Sequence, residues 1–131
     1  MIRTENINKV FEGHHVLNDV SISLTSGQIN LIIGESGSGK TVLMKCIVGL
    51  IEVDSGSIFF DDRDFTQMNT DQRKELRKEM GMLFQGSALF DSLSVIDNVM
   101  FPLKMLTNMT YKQRLKRALE CLDRVNLHGV T

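Results

Sequence analysis

One octapeptide constrains this chain more than any other feature: Gly34, Glu35, Ser36, Gly37, Ser38, Gly39, Lys40 and Thr41 in succession. It satisfies the pattern G-x-x-x-x-G-K-[ST], a glycine-rich loop that follows a strand and opens a helix. Each residue type has a physical reason. Glycines let the backbone curl so that successive N–H groups point inward at phosphate oxygens. A helix starting at Lys40 adds its positive dipole end. The Lys40 ammonium is a mobile cation for the outer phosphates, and the Thr41 hydroxyl is a neutral oxygen ligand for Mg²⁺. Chance produces such a match in a chain of this length in fewer than about one case in a hundred. The flanks agree with the motif: an apolar run, Ile29, Leu31, Ile32 and Ile33, precedes the loop, and helical sequence follows.

Composition narrows the partners. The chain has 131 residues, 42% hydrophobic and 24% charged, an ordinary globular balance that allows one domain at most. A formal net charge of −1 argues against a dedicated nucleic-acid binder. Cys46 and Cys121 give neither a disulfide framework nor a zinc set and suit a reducing compartment. The densest apolar stretch, residues 42–53, is broken by Lys45 and Glu52, and it is far short of the ~20 residues of a membrane span. The first residues lack the apolar segment of a signal peptide, so a cytosolic chain is expected.

Along the chain, strands are expected at residues 2–11 and 16–24, with Val20, Ile22 and Leu24 on one face of the second. Residues 28–33 read as a strand covered on both faces. A helix over 40–51 is apolar nearly all round and should lie in the interior. After a turn at Asp54-Ser55-Gly56, residues 57–60 read as a strand and 61–69 as polar connector. A charged helix over 70–78 leads to a second short buried strand, 80–84, ending at Gln85. Ser94 with Asp97 and Thr110 with Gln113 form capping boxes before two helices, the first ended or kinked by Pro102. Leu115, Ala118, Leu119, Leu122 and Val125 keep a helical stripe in the second. The alternation implies an α/β core with parallel strands.

Some thirty residues of strand-like sequence precede the loop, among them Phe11-Glu12-Gly13-His14-His15-Val16-Leu17. Downstream, Met82-Leu83-Phe84-Gln85 ends a buried run. Together with Leu17 to Ser21 and the pair Ser55-Gly56, these residues resemble an ATP-binding cassette (ABC) ATPase. The resemblance implies a P-loop NTPase fold, with an N-terminal antiparallel β part and the loop core over 1–87 and the start of a helical subdomain over 88–131. It implies that Phe11 stacks on adenine beside Val16, that the loop and Val42 hold ATP, and that Gln85 meets the Mg²⁺ and the attacking water. Lys40 and Gln85 are then the catalytic candidates, and Thr41 and Gln85 the metal ligands. The run from Gly81 through Asp97-Asn98-Val99 to Leu103 is similar to the ATPase subunit of Mla/Mce-type lipid-trafficking systems. That likeness implies a homodimer bound to a membrane permease and an Mce-type substrate-binding subunit, on the inner face of the cytoplasmic membrane. Such ATPases continue with a Leu-Ser-Gly-Gly-type signature, an acidic strand with a catalytic Glu, and a switch His. None occurs in these 131 residues. The stretch therefore reads as the N-terminal part of one nucleotide-binding domain, not expected to hydrolyse ATP alone. A non-transport ABC ATPase of the DNA-repair or translation type, or a module that only binds nucleotide, are the alternatives.

Other residues have plainer readings. Ser36 has no companion base, so Glu35 and Ser36 are filler within the nucleotide loop. His14 and His15 lack further ligands at metal spacing. Arg73, Lys74, Arg77 and Lys78, interleaved with Asp71, Glu75 and Glu79, read as a solvated helix face with i,i+4 pairs. Leu89, Phe90 and Phe101 are expected near one another, either as a partner surface or as packing under the helices.

Overall fold

The computed structural model describes residues 1–86 and 88–129. Ten elements follow in order. They are β1 (Ile2–Phe11), β2 (His14–Val20), β3 (Ser23–Leu24), α1 (Lys40–Ile47), β4 (Ser55–Phe60), β5 (Arg63–Asp64), a 3-10 turn (Phe65–Gln67), α2 (Thr70–Arg77), α3 (Val95–Leu106) and α4 (Tyr111–Arg124). The chain divides into two compact units, Met1–Met80 and Gly81–Thr131.

The first unit is built on β1. This ten-residue strand pairs with β2 along its second half and with β3 and β4 along its first, in the order β2-β1-β4-β5 with β3 also on β1. Every pairing is antiparallel. The change of partner bends β1: Asn6 has φ of 49° and the register shifts between Glu5 and Asn8 on one side and between Ile7 and Lys9 on the other. Asn6 Nδ2 donates to Asp19 Oδ1 at 2.7 Å, which steadies the bend. Gly56 faces it with φ of +94°, where an added Cβ would sit 2.6 Å from Ile7 Cα, so only glycine lets β4 approach.

Ile7, Leu17, Ile58, Phe60 and Phe65 of the sheet side bury against Leu43, Cys46 and Ile47 of α1 and Leu76 of α2. Thr4 is buried among them, satisfied by donating to Val20 O at 3.1 Å and accepting from Ile22 N at 3.0 Å. Phe65 was hidden in what the sequence offered as polar connector; the structure makes β5 and the 3-10 turn there and drives this ring into the core, edge-on to Phe60.

Three expectations change. Helix α1 stops at Ile47, because Gly49 at φ +78° turns the chain; the helix buries one face only and leaves Met44 exposed, and Leu50 beyond its end is exposed too. Residues 28–33 and 80–84 form no strand. Ile29 and Leu83 are 102% and 98% exposed. A strand exists through its neighbours' hydrogen bonds, and no described residue pairs with either run. The expected parallel core is therefore absent among the described residues.

In the second unit, Ile96 and Met100 of α3 pack on Ala118 and Leu122 of α4, with Val99 and Leu115 beside them. Ser94 caps α3 by accepting from Asp97 N at 3.2 Å, and its hydroxyl donates to Asp97 Oδ2 at 2.6 Å. Thr110 and Gln113 form the expected reciprocal box. Pro102 lies inside α3, which continues to Leu106, so it does not end the helix. Leu119 and Val125, expected on the apolar stripe of α4, are exposed.

Candidate functional site

The loop takes shape around two glycines. Gly37 has φ of 78° and Gly39 of 94°, and residues 36–39 form a tight turn before α1. Ser38 N donates to Glu35 O at 3.1 Å, and Leu43 N to Gly39 O at 2.8 Å, which starts the helix. Gly39 is the N-cap of α1 and brings no capping side chain. The first N–H groups of α1 therefore have no side-chain partner from the cap, the condition under which a helix start takes an anion. A Cβ on Gly39 would lie 2.9 Å from Val16 O, so this glycine also lets the loop rest on β2.

Val16, Gly37, Gly39, Lys40, Thr41 and Val42 line an opening of about 170 Å³ beside the loop. Lys40 folds back across the loop: its Nζ donates to Gly34 O and Glu35 O, each at 2.6 Å, with Ser38 Oγ at 3.4 Å. Its charge thus rests on neutral carbonyl oxygens, weaker partners than phosphate. Thr41, exposed in the first turn of α1, presents a neutral hydroxyl. No group of three or more His, Cys, Asp or Glu fit for a metal exists among the described residues. A Mg²⁺ at this loop would take its oxygens from Thr41, phosphates and water, which is how that ion is ordinarily held. The anion-ready turn, the mobile ammonium and the hydroxyl fit a magnesium nucleotide.

Phe11 ends β1 opposite His14, 40% exposed, and is not among the residues lining that opening. Lys9 Nζ sits 5.3 Å from its ring centre and is held at 3.1 Å by Asp54, whose carboxylate also accepts from Val10 N at 2.7 Å. Those two hydrogen bonds, the backbone one first, keep the Asp54 carboxyl below its ordinary range. Glu35 contributes its carbonyl to Lys40, while Ser36 is an exposed turn residue. Gln85 is exposed in an irregular stretch of the second unit, so the strand end expected to aim it is not formed.

The sequence reading missed Arg73 and Arg77. They do not join Lys74 and Lys78 on a solvated face. Arg73, its side chain only 13% exposed, pairs with Glu52, and Arg77 donates to the carbonyls of Val48 and Gly49. The usable signal was the choice of Arg over Lys at an i,i+4 pair, since a rigid fork of donors suits part-buried carbonyls and an ammonium does not.

The chain matches the family described as "ABC transporter" over residues 17–130. It is 42% identical over 127 residues to the methionine import ATP-binding protein MetN of Clostridioides difficile, covering 97% of this chain and 39% of that protein. It is 36% identical to the phosphonates import ATP-binding protein PhnC of Fusobacterium nucleatum, covering 97% of this chain and 54% of the other. A solved structure, the dimeric post-hydrolysis state of the ATP-binding cassette MJ0796 bound to ADP and Pi, superposes with a TM-score of 0.87 at 28% identity. That match covers 98% of this chain and 59% of the other. The chain thus spans roughly two fifths to three fifths of these relatives' lengths. The narrower likeness to lipid-trafficking ATPases finds no support in these two relatives, which are named for import of methionine and phosphonates. The P-loop cassette fold agrees with the antiparallel sheet followed by helices, and the chain belongs to the ABC transporter family.

Proposed function

We propose that this protein is the ATP-binding and ATP-hydrolysing subunit of a bacterial ABC transporter. The loop carries the reading: two left-handed glycines, an N-cap that adds no side chain, and Lys40 resting on carbonyls it can exchange for phosphate. Bound MgATP supplies the phosphoanhydride whose cleavage drives transport. The chain's own residues hold it. Amides of the loop and the start of α1 receive the phosphates, Lys40 moves its charge onto the outer ones, and the Thr41 hydroxyl ligates the metal. Phe11 offers a ring face to the base.

The cassette MJ0796 is described as a dimer, and a second copy completing the site is proposed here too. A membrane permease is the other partner, which would keep the protein peripheral on the inner face of the cytoplasmic membrane; no helix among the described residues is long and apolar enough to cross one. Exposed apolar residues of the second unit support a docking role. Leu89 is exposed, and Phe90 and Phe101, also exposed, meet at a tilt with ring centres 4.7 Å apart.

For the cargo, the relatives' names favour import of a small polar solute such as methionine or a phosphonate. The run from Gly81 to Leu103 carries the second reading, lipid trafficking with an Mce-type subunit. Genes beside this one discriminate: a solute-binding lipoprotein supports the first, an Mce-type subunit the second. The function is tested in the full-length protein with its permease in vesicles. ATP-dependent transport lost in Lys40→Ala supports it. For the docking surface, Phe90→Ser should keep nucleotide binding and lose permease association; unchanged association removes that surface from the account.

A further inference from the structure

Helix α2 lays two guanidinium groups, four residues apart, onto main-chain carbonyls. Arg77 donates from Nη2 to Gly49 O at 2.9 Å and from Nε to Val48 O at 3.3 Å. Arg73 donates from Nε to Phe65 O at 3.2 Å and from Nη2 to Thr66 O at 3.4 Å, pairs with Glu52, and lies 4.6 Å over the Phe65 ring. Leu76 is the one buried residue of α2. A helix this charged is therefore held to the core largely by its arginines.

What Arg77 holds is the carboxyl end of α1. Val48 is its C-cap, and Gly49 follows at φ +78°. The carbonyls just before are taken: Met44 O by Val48 N, Cys46 O by Gly49 N, and Lys45 O by Leu50 N. Arg77 satisfies those of Val48 and Gly49 and sets a positive charge at the negative end of the helix. Gly49 is shaped for the contact, since a Cβ there would lie 2.7 Å from Arg77 Nη2 and 2.6 Å from Phe65 Cζ.

We propose that Arg77, backed by Arg73, is a positioning residue for the phosphate loop: by anchoring the carboxyl end of α1 it sets the depth and tilt at which Lys40 and Thr41 meet the phosphates. The proposal rests on the nucleotide reading above. Helix α1 has eight residues, so it is a rod about 12 Å long, and tilt at one end displaces the other. Misplacement of reacting groups by ~1 Å costs up to about a hundredfold in rate.

The test is steady-state ATP hydrolysis by the full-length protein, with thermal melts of every variant. Arg77→Met should lower kcat by at least about tenfold and change KM less, because the shift matters most where the phosphates react. Arg77→Lys, which can still reach one carbonyl, should recover part of the loss. Lys74→Met, exposed one turn away, should match wild type. A purely structural arginine would lower the melting temperature while kcat, measured well below it, stayed at the wild-type value; that result overturns the proposal. Should Arg77→Met fail to fold, Arg77→Lys decides: a reduced kcat at an unchanged melting temperature supports the brace, and a wild-type kcat overturns it. Lys40→Ala in parallel isolates the underlying reading. Hydrolysis that survives Lys40→Ala removes the phosphate-loop assignment, whereas hydrolysis lost in Lys40→Ala with a wild-type kcat in Arg77→Met removes only the brace.

Discussion

Replacing Gly39 by alanine should damage this protein far more than the same change at Gly37, two residues away in the same loop. Both glycines have positive φ, 94° and 78°. Holding alanine in that region costs about 1–2 kcal/mol. Alanine also narrows the unfolded chain, which offsets about 0.4–1 kcal/mol. At Gly37 nothing lies within 4 Å of an added Cβ, so the net loss there is about 0–1.6 kcal/mol. At Gly39 the Cβ would meet Val16 O at 2.9 Å, Val16 Cγ1 at 3.2 Å and Leu17 Cδ2 at 3.4 Å. The first of these is backbone of β2 and cannot swing aside, so overpacking adds about 1–3 kcal/mol. Thermal melts are the assay: with about 4–8 °C per kcal/mol for a unit of this size, Gly39→Ala should melt several degrees below Gly37→Ala. Weaker MgATP binding should accompany it, as the loop lifts off β2. Equal melting temperatures for the two variants would refute the close approach on which the site's geometry depends.

Two further outcomes test separate parts of the account. Asp54, with its carboxyl held below the ordinary range by Val10 N and Lys9, contributes stability that is full above the unfolded value of about 4 and is lost as pH falls through the lower folded value. Asp54→Asn should therefore differ from wild type in urea melts near neutral pH and converge with it once pH has fallen through the lowered folded value; a constant difference would show that the charge is not the cause. If Phe11 stacks on the base, Phe11→Ala should weaken MgATP binding by about 1–3 kcal/mol. GTP should then compete measurably with ATP in the wild type, because a ring face reads no hydrogen bonds; strict ATP selectivity retained in Phe11→Ala would move base recognition elsewhere.

The loop was legible because its chemistry is local: eight consecutive residues carry the glycine torsions, the cation and the hydroxyl, and the structure folds them as one turn. The capping residues Ser94 and Thr110 were legible for the same reason. What the sequence could not show is what depends on distant partners. Ile29, Leu31 and Ile33 have the composition of a buried strand, yet composition does not supply the neighbouring backbone that makes one. Phe65 looked like part of a polar connector because its burial depends on Phe60 and Gly49, far from it in the chain or on another element. Arg73 and Arg77 carry the same formal charge as their lysine neighbours; the choice of Arg was the one local signal, and the carbonyls that the two guanidinium groups reach lie on other elements.

The central claim is that Lys40 moves from the loop's own carbonyls onto the phosphates of a bound nucleotide, and calorimetric titration of MgATP into the full-length protein and its Lys40→Ala variant tests it most directly. An ammonium about 4 Å from a phosphate charge is worth roughly 4 kcal/mol at an effective dielectric near 20, about a thousandfold in affinity. Giving up Gly34 O and Glu35 O offsets part of that, so the account predicts a loss between about tenfold and a thousandfold. Equal affinities in the two proteins would contradict it.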